Sequence, residues 1–197
     1  MMETAIQVLY TATVALKGPV VLGILAALVW VLFELGRFLG EWVQRRRLAP
    51  RWQNTIDALV QAKDAAGPDP DDSLSGLDGP DVPDLVRRAR KRTLERTRGT
   101  PTLDDLLREL DLAAATRLVP TRIGLRLGPV LGLMGTLIPM GPALMSISKG
   151  DLTVMSNDLI IAFSTTVVGL MVGAMCHVML VARQHWYARD LADLEGL

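Results

Sequence analysis

The residues of this sequence best placed for chemistry are three successive hydroxyl side chains inside an uncharged run. Ser164, Thr165 and Thr166 lie in the segment FSTTVVGL. At about 100° per residue, Thr166, Gly173 and His177 fall within one narrow stripe of a helix. Small and polar side chains along one stripe of an apolar helix indicate a pore wall. The spacing also allows a second interpretation, in which the hydroxyl groups of Ser164 and Thr165 bond only the carbonyl four residues earlier in their own helix.

Three apolar runs supply the helices that would position these side chains. We predict transmembrane helices over residues 18–40, 127–148 and 159–182, because each run reaches the roughly 20 residues that a helix needs to cross a bilayer. Half of the 197 residues are hydrophobic. The sequence therefore predicts an all-α integral membrane protein whose three transmembrane helices extend into the cytoplasm.

Glycines recur at helical spacing in the second and third runs. Gly124, Gly128 and Gly132 lie every fourth residue, and Gly169 and Gly173 repeat that spacing. Such rows let two helix backbones approach closely in a membrane. Spans two and three are therefore predicted to pack against other helices, either as a compact hairpin or as part of a larger bundle.

Two prolines lie inside the second run, where they would disturb a helix. Pro139 and Pro142 lack the N–H groups that would bond the carbonyls of Gly135 and Ile138, so we predict a helix kink there. A free carbonyl is costly in lipid unless it faces protein or water. This favours a bundle with a partly hydrated inner surface over a single anchor.

Arginine placement predicts the orientation. The residues that follow span one, precede span two and follow span three are arginine-rich, whereas the opposite ends carry only Lys17 and Lys149. By the positive-inside rule, residues 41–126 and the C-terminal tail 183–197 are cytoplasmic, and the N-terminus and the turn 149–158 are outside. We expect this multi-pass protein in the plasma (inner) membrane.

The remaining segments are interpreted from local signals. Residues 1–17 are predicted as an amphipathic segment that ends where Gly18 and Pro19 break the helix. Residues 67–84 are predicted to form an acidic loop rich in proline and glycine. Thr102 is predicted to cap the helix that leads into span two, and Asp158 to cap span three at its outer end.

Several classes of function are disfavoured. His177 and His185 are too far apart for a local metal pair, Cys176 is the only cysteine, and no phosphate-binding glycine loop occurs. We expect no catalytic residues, no metal and no cofactor. An arginine-rich helix over residues 85–98 has acidic flanks and no interleaved aromatic residues, so we expect no nucleic-acid partner.

Two segments resemble motifs of the MotA/TolQ/ExbB family. GPVLGLMGTLIPM is similar to the P-x-LGLLGTVxGM motif, and NDLIIAFSTTVVGLMVGA is similar to GIxxALxTTxxGLxVA, with an SKGD turn between them. The resemblance covers residues 122–189. Three spans with an outside N-terminus fit the ExbB/TolQ branch, since MotA-type proteins have four spans.

The resemblance implies a ring, in the family a pentamer, whose second and third spans line a pore around the single spans of two ExbD/TolR-like partner subunits. Protons would cross through an aspartate of the partner, and their flow would drive rotation or torque. By motif position, the pore threonines of the family correspond to Thr136 and Thr166. A threonine hydroxyl can donate to a carboxylate and accept from a carboxylic acid, so it suits both protonation states of that aspartate.

The sequence departs from the family pattern at two positions. The glutamate about one turn before the span-three threonine is Ile161 here, and the glycine after the span-two GT pair is Pro139. Ion conduction would then depend wholly on the partner's carboxylate. The alternative function is a non-conducting scaffold that holds a partner helix and presents cytoplasmic helices to other proteins.

Overall fold

The computed structural model describes residues 1–66, 77, 79, 81–96 and 102–195. Within those residues the chain forms four helices, named here α1 (Met2–Ala66), α2 (Asp84–Arg96), α3 (Leu103–Ser148) and α4 (Leu152–Glu195). The predicted acidic loop, residues 67–84, lies mostly outside the described residues.

The long helices α1, α3 and α4 are each long and apolar enough to cross a membrane. The predicted all-α fold with three candidate spans is therefore confirmed. Many apolar side chains on these helices are exposed within one chain, for example Phe33, Leu137 and Phe163. Apolar surface of this kind is suited to lipid or to neighbouring protein helices.

The helix break predicted at Gly18 and Pro19 is wrong, because α1 continues through both residues. A proline inside a helix lacks only its own N–H group, so the helix loses one backbone hydrogen bond there. Ending the helix would instead leave several backbone groups unpaired beside an apolar environment. Continuity is therefore the less costly choice for this segment.

Helix α3 likewise runs through four prolines, Pro120, Pro129, Pro139 and Pro142. Its start is fixed by the predicted cap. The Thr102 Oγ1 accepts a hydrogen bond from the backbone N–H of Asp105 at 3.3 Å, and the Asp105 carboxylate accepts one from the backbone N–H of Thr102 at 3.3 Å. This reciprocal pair satisfies two donors at the helix start.

A tight turn joins α3 to α4. Gly150 has φ 76°, a left-handed conformation, and its N–H donates to the Ile147 carbonyl at 3.0 Å. Asp151 caps α4, since its Oδ1 accepts from the N–H of Val154 at 3.1 Å. The predicted cap at Asp158 is therefore wrong, because α4 already begins at Leu152.

Replacing Gly150 with alanine should destabilise this turn by about 1–2 kcal/mol, because a Cβ is disfavoured in the left-handed region. The thermal unfolding midpoint in detergent, followed by circular dichroism, measures the effect. Gly36→Ala is the matched control, since a Cβ at this helical glycine would have no neighbour within 4 Å. Equal midpoints for the two variants would contradict the strain argument.

The chain divides into two compact units. Unit 1 comprises Met1–Gly36 and Pro120–Met179, and unit 2 comprises Arg37–Val119 and Leu180–Leu197. Unit 1 has a small apolar core of Val20, Ile24 and Ile138. Unit 2 buries apolar side chains of α2 and the first turns of α3, among them Leu85, Val86, Leu106 and Leu110.

Candidate functional site

The predicted glycine rows lie where α3 and α4 pack against each other in unit 1. Gly124 faces Cys176, Gly128 faces Gly169 and Gly173, Gly132 faces Gly169 and Thr166, and Gly135 faces Thr165. As the position rises along α3 it falls along α4, so the two helices are antiparallel. We call this contact the glycine seam.

Backbone meets backbone at the centre of the glycine seam. A Cβ added at Gly128 would lie 2.7 Å from the Gly169 carbonyl oxygen and 2.8 Å from the Gly173 nitrogen. One added at Gly169 would lie 2.7 Å from the Gly132 Cα. No side chain larger than hydrogen fits these positions without moving a helix.

Thr166 lies at the edge of the glycine seam and is half-buried. Its hydroxyl group is within hydrogen-bond distance of two carbonyl oxygens, that of Gly132 on α3 at 3.3 Å and that of Ala162 on α4 at 3.1 Å. Both distances are long for an O–H···O bond, whose usual range is about 2.5–3.0 Å. The hydroxyl is therefore held weakly by its own chain.

Thr165 and Ser164 occupy different environments although they are adjacent. Thr165 is buried against Gly135, and its hydroxyl lies 2.9 Å from the carbonyl oxygens of Ile161 and Ala162. The Thr165 hydroxyl thus bonds carbonyls of its own helix, which is the second interpretation that the sequence allowed. Ser164 is exposed on the surface of the chain.

Thr136, on α3, is half-buried and donates a hydrogen bond of 2.7 Å to the Leu133 carbonyl. This is the usual length of an O–H···O bond, and the bond lies within its own helix. The hydroxyl oxygen retains lone pairs that can accept a further hydrogen bond. Thr136 is therefore better prepared to accept than to donate.

The predicted stripe on α4 is divided between two environments. Gly173 is buried, with the ring of Pro129 2.9 Å from the position of an added Cβ, so it lies in the contact with α3. His177, one turn further on, is exposed. The two predicted kink residues, Pro139 and Pro142, lie within the unbroken helix α3, and the kink itself stays a prediction.

An ion pair at the start of α4 was not predicted from the sequence. Lys17 Nζ lies 2.5 Å from Asp158 Oδ1, and the Asp158 side chain is only 8% exposed. A buried carboxylate needs such a partner because isolated burial is very costly. The available signal was that both residues flank apolar runs on the same predicted side of the membrane.

Unit 2 contains a second polar network that the sequence did not reveal. Arg45 bonds both oxygens of Asp190, at 3.0 and 2.6 Å. The Glu41 carboxylate accepts hydrogen bonds from Arg183 at 3.2 Å and from the Tyr187 hydroxyl at 3.1 Å. These pairs join α1 to α4 at nearly constant sequence separation, so the two helices run parallel within this unit.

Burial has the largest effect on the pKa values of Asp190 and Tyr187 in this network. It raises the pKa of Asp190, while the hydrogen bond and charge of Arg45 lower it, and the net shift is upward. Burial and the charge of Glu41 also raise the pKa of Tyr187. For Asp84, in contrast, burial is outweighed by hydrogen bonds from Arg117 and Arg88, and the pKa falls.

Comparisons with known proteins identify one match. The model of the MotA/TolQ/ExbB proton channel family matches residues 106–195, which include most of α3 and all of α4. The resemblance noted in the sequence is therefore confirmed, and the matched family is one of channels. No curated protein and no solved structure matches the chain.

Proposed function

We propose that this chain, whose residues 106–195 belong to the MotA/TolQ/ExbB proton channel family, is a ring-forming subunit of an ion-driven membrane motor of the ExbB/TolQ type. Five copies would enclose the membrane spans of two ExbD/TolR-like subunits. Proton flow through the ring would be coupled to mechanical work. The protein would lie in the inner membrane with its N-terminus outside and its C-terminus in the cytoplasm.

The observation that carries this proposal is the coincidence of the family match with the glycine seam. The matched segment contains both helices of the seam, and these helices carry Thr136 and Thr166. Both hydroxyl groups are half-buried rather than enclosed in the chain. A neighbouring copy or a partner helix could therefore approach them.

The two hydroxyls suit different steps of proton transfer to a partner's carboxyl group. The long contacts of Thr166 let its hydroxyl turn towards a carboxylate and donate to it at little cost. Thr136 keeps its short bond to Leu133 and accepts from the protonated acid. Ile161 offers no carboxylate, so the partner supplies the proton-carrying group.

The membrane potential provides enough energy for such a cycle. One charge that moves through 100 mV releases about 2.3 kcal/mol. This exceeds the cost of breaking one weak hydroxyl contact, which is about 1 kcal/mol.

Proton uptake into liposomes that contain this subunit and its partner tests the proposal. With an imposed potential and a pH-sensitive dye, Thr166→Val should abolish most of the flux while the complex still assembles, because valine keeps the shape and removes the hydroxyl. Thr166→Ser should retain much of the flux. Thr165→Val is the matched control and should do less damage, since the Thr165 hydroxyl bonds only carbonyls of its own helix.

Equal flux in the wild type and in the Thr136→Val/Thr166→Val double variant would rule out the pore assignment. An intact wild-type complex without any flux would instead favour the scaffold alternative, in which position 161 needs no carboxylate.

Orientation can be tested separately by cysteine labelling. In a Cys176→Ala background, Lys149→Cys should react with an impermeant reagent from outside and Asp57→Cys only after the membrane is opened. Both positions are exposed in the structure, so access to the reagent depends on the side of the membrane alone. The reverse pattern would contradict the proposed orientation.

A further inference from the structure

Around Arg45 and Asp190 in unit 2, the carboxylates are paired between the helices, whereas three arginines face outwards. The carboxylates of Glu41 and Asp190 are paired with Arg45 and Arg183 in the contact between α1 and α4. Arg46, Arg47 and Arg189 point outwards and are exposed. Among the described residues, no carboxylate oxygen pairs with any of these three outward arginines within 4.0 Å.

The three outward arginines lie at one level along the helices. Arg45 bonds Asp190, so the two side chains mark the same level of α1 and α4. Arg46, Arg47 and Arg189 are one or two positions from that pair, which is about 1.5–3 Å along a helix axis. Their positive charges therefore lie in one zone, which is defined by its depth along the two helices.

This zone lies at the depth of lipid headgroups. The first apolar run ends near residue 40, so Arg46 is about 9 Å further along α1 at 1.5 Å per residue. The headgroup layer begins at the edge of the hydrocarbon and is roughly 5–8 Å thick on each side. Arginine side chains are long enough to return over the remaining distance.

Trp42 strengthens this placement. Its side chain is 37% exposed, and the Arg46 guanidinium lies 4.2 Å from the centre of its ring. Tryptophan is enriched at the interface between membrane and water. The stacked ring orients Arg46 without neutralising its charge.

We propose that Arg46, Arg47 and Arg189 form a binding surface for anionic phospholipid headgroups. The planar guanidinium group suits the oxygens of a phosphate, which it can bond with two N–H groups. The inward pairing of the nearby carboxylates removes the negative charge that would repel such a lipid. This surface does not depend on the motor function proposed above, because it requires only that α1 and α4 cross the bilayer.

The test compares lipid selectivity of the full-length protein in bilayers of phosphatidylcholine and phosphatidylglycerol. Electron paramagnetic resonance measures the motionally restricted fraction of spin-labelled phosphatidylglycerol relative to spin-labelled phosphatidylcholine. We expect the wild type to prefer phosphatidylglycerol. In the variant Arg46→Gln/Arg47→Gln/Arg189→Gln that preference should fall by at least about fivefold, the attraction that a single surface arginine contributes.

Two matched variants distinguish a specific effect of the three outward arginines from an effect of total charge and from misfolding. Arg87→Gln/Arg88→Gln/Arg92→Gln removes the same charge from exposed positions of α2 and should keep the preference. Arg46→Lys/Arg47→Lys/Arg189→Lys keeps the charge and should retain most of it. About 0.5 M salt should weaken the wild-type preference by screening.

Equal selectivity in the wild type and the glutamine variant would overturn the proposal and leave this surface to an acidic protein segment. An equal loss in the α2 control would also overturn it, because the effect would then reflect net charge alone.

Discussion

Gly128→Ala is expected to destabilise the pairing of α3 and α4 by about 1–3 kcal/mol, the usual cost of overpacking a close contact. The new Cβ would lie 2.7 Å from one backbone atom of α4 and 2.8 Å from another. Backbone atoms cannot rotate away as a side chain does, so the helices must separate. Separation also lengthens the contact between the Thr166 hydroxyl and the Gly132 carbonyl, which is already 3.3 Å.

Gly141→Ala is the matched control on the same helix, since a Cβ there would have no neighbour within 4 Å. It should be neutral or stabilising by up to about 1 kcal/mol, because alanine favours a helix more than glycine does. Denaturant unfolding in mixed micelles, followed by circular dichroism, measures both changes. Equal unfolding free energies for Gly128→Ala and Gly141→Ala would contradict the close approach at the glycine seam.

A larger side chain extends the test to assembly. Gly132→Leu and Gly173→Leu should break the packing within one chain, and a ring built on that packing should then fail to form. Native mass in mild detergent measures the oligomer. A wild-type protein that is monomeric would count against the ring, whereas a variant that keeps the wild-type oligomer would count against the seam.

The sequence predicted those parts of the fold that depend on local pattern or on the bilayer. The lengths of the apolar runs predicted the three candidate spans, and the glycine spacing predicted the surfaces that meet in the glycine seam. The Thr102 cap was also predictable, because its bonds reach only three residues along the chain. The helix break predicted at Gly18 and Pro19 was wrong. The prediction rests on the local cost of these two residues in a helix, which is smaller than the cost of leaving backbone groups unpaired beside an apolar environment.

Contacts between distant residues were not predictable from one sequence. Asp158 looked like a helix cap because its partner Lys17 is 141 positions away. A helical wheel correctly places Gly173 and His177 near one stripe, but it does not say which edge of the stripe meets α3. The edge at Gly173 meets α3, because the ring of Pro129 covers Gly173, whereas His177 is exposed.

Arg45→Ala is expected to have the largest effect in unit 2, a loss of about 3–5 kcal/mol in the free energy of unfolding. Arg45 bonds both carboxylate oxygens of Asp190, which is only 4% exposed. Its removal leaves a buried carboxylate beside the negative charges of Asp193 and Glu41. Asp190→Asn should cost less, because the amide keeps the size of the side chain and carries no charge.

The pH dependence of the stability lost in Arg45→Ala follows from the direction in which the pKa of Asp190 is shifted. Burial raises the pKa of Asp190 in the folded protein, against the opposing effect of Arg45, so the folded state binds this proton more readily than the unfolded chain does. The contribution of Asp190 to stability therefore becomes more favourable as the pH falls through the folded pKa towards the unfolded value, and it is least favourable above the folded pKa.

In Arg45→Ala the opposing effect of Arg45 is lost, and the pKa of Asp190 should rise further. The difference in unfolding free energy between the wild type and Arg45→Ala should consequently shrink as the pH is lowered from neutral towards the raised pKa of Asp190, because protonation removes the unpaired charge. Asp190→Asn cannot titrate, so adding Arg45→Ala to it should give a difference that does not change over this range. A defect in Arg45→Ala that is constant with pH would show that the lost contact is the stacking of Arg45 on Trp186 and Tyr187, at 5.4 Å from each ring, and not its pairing with Asp190.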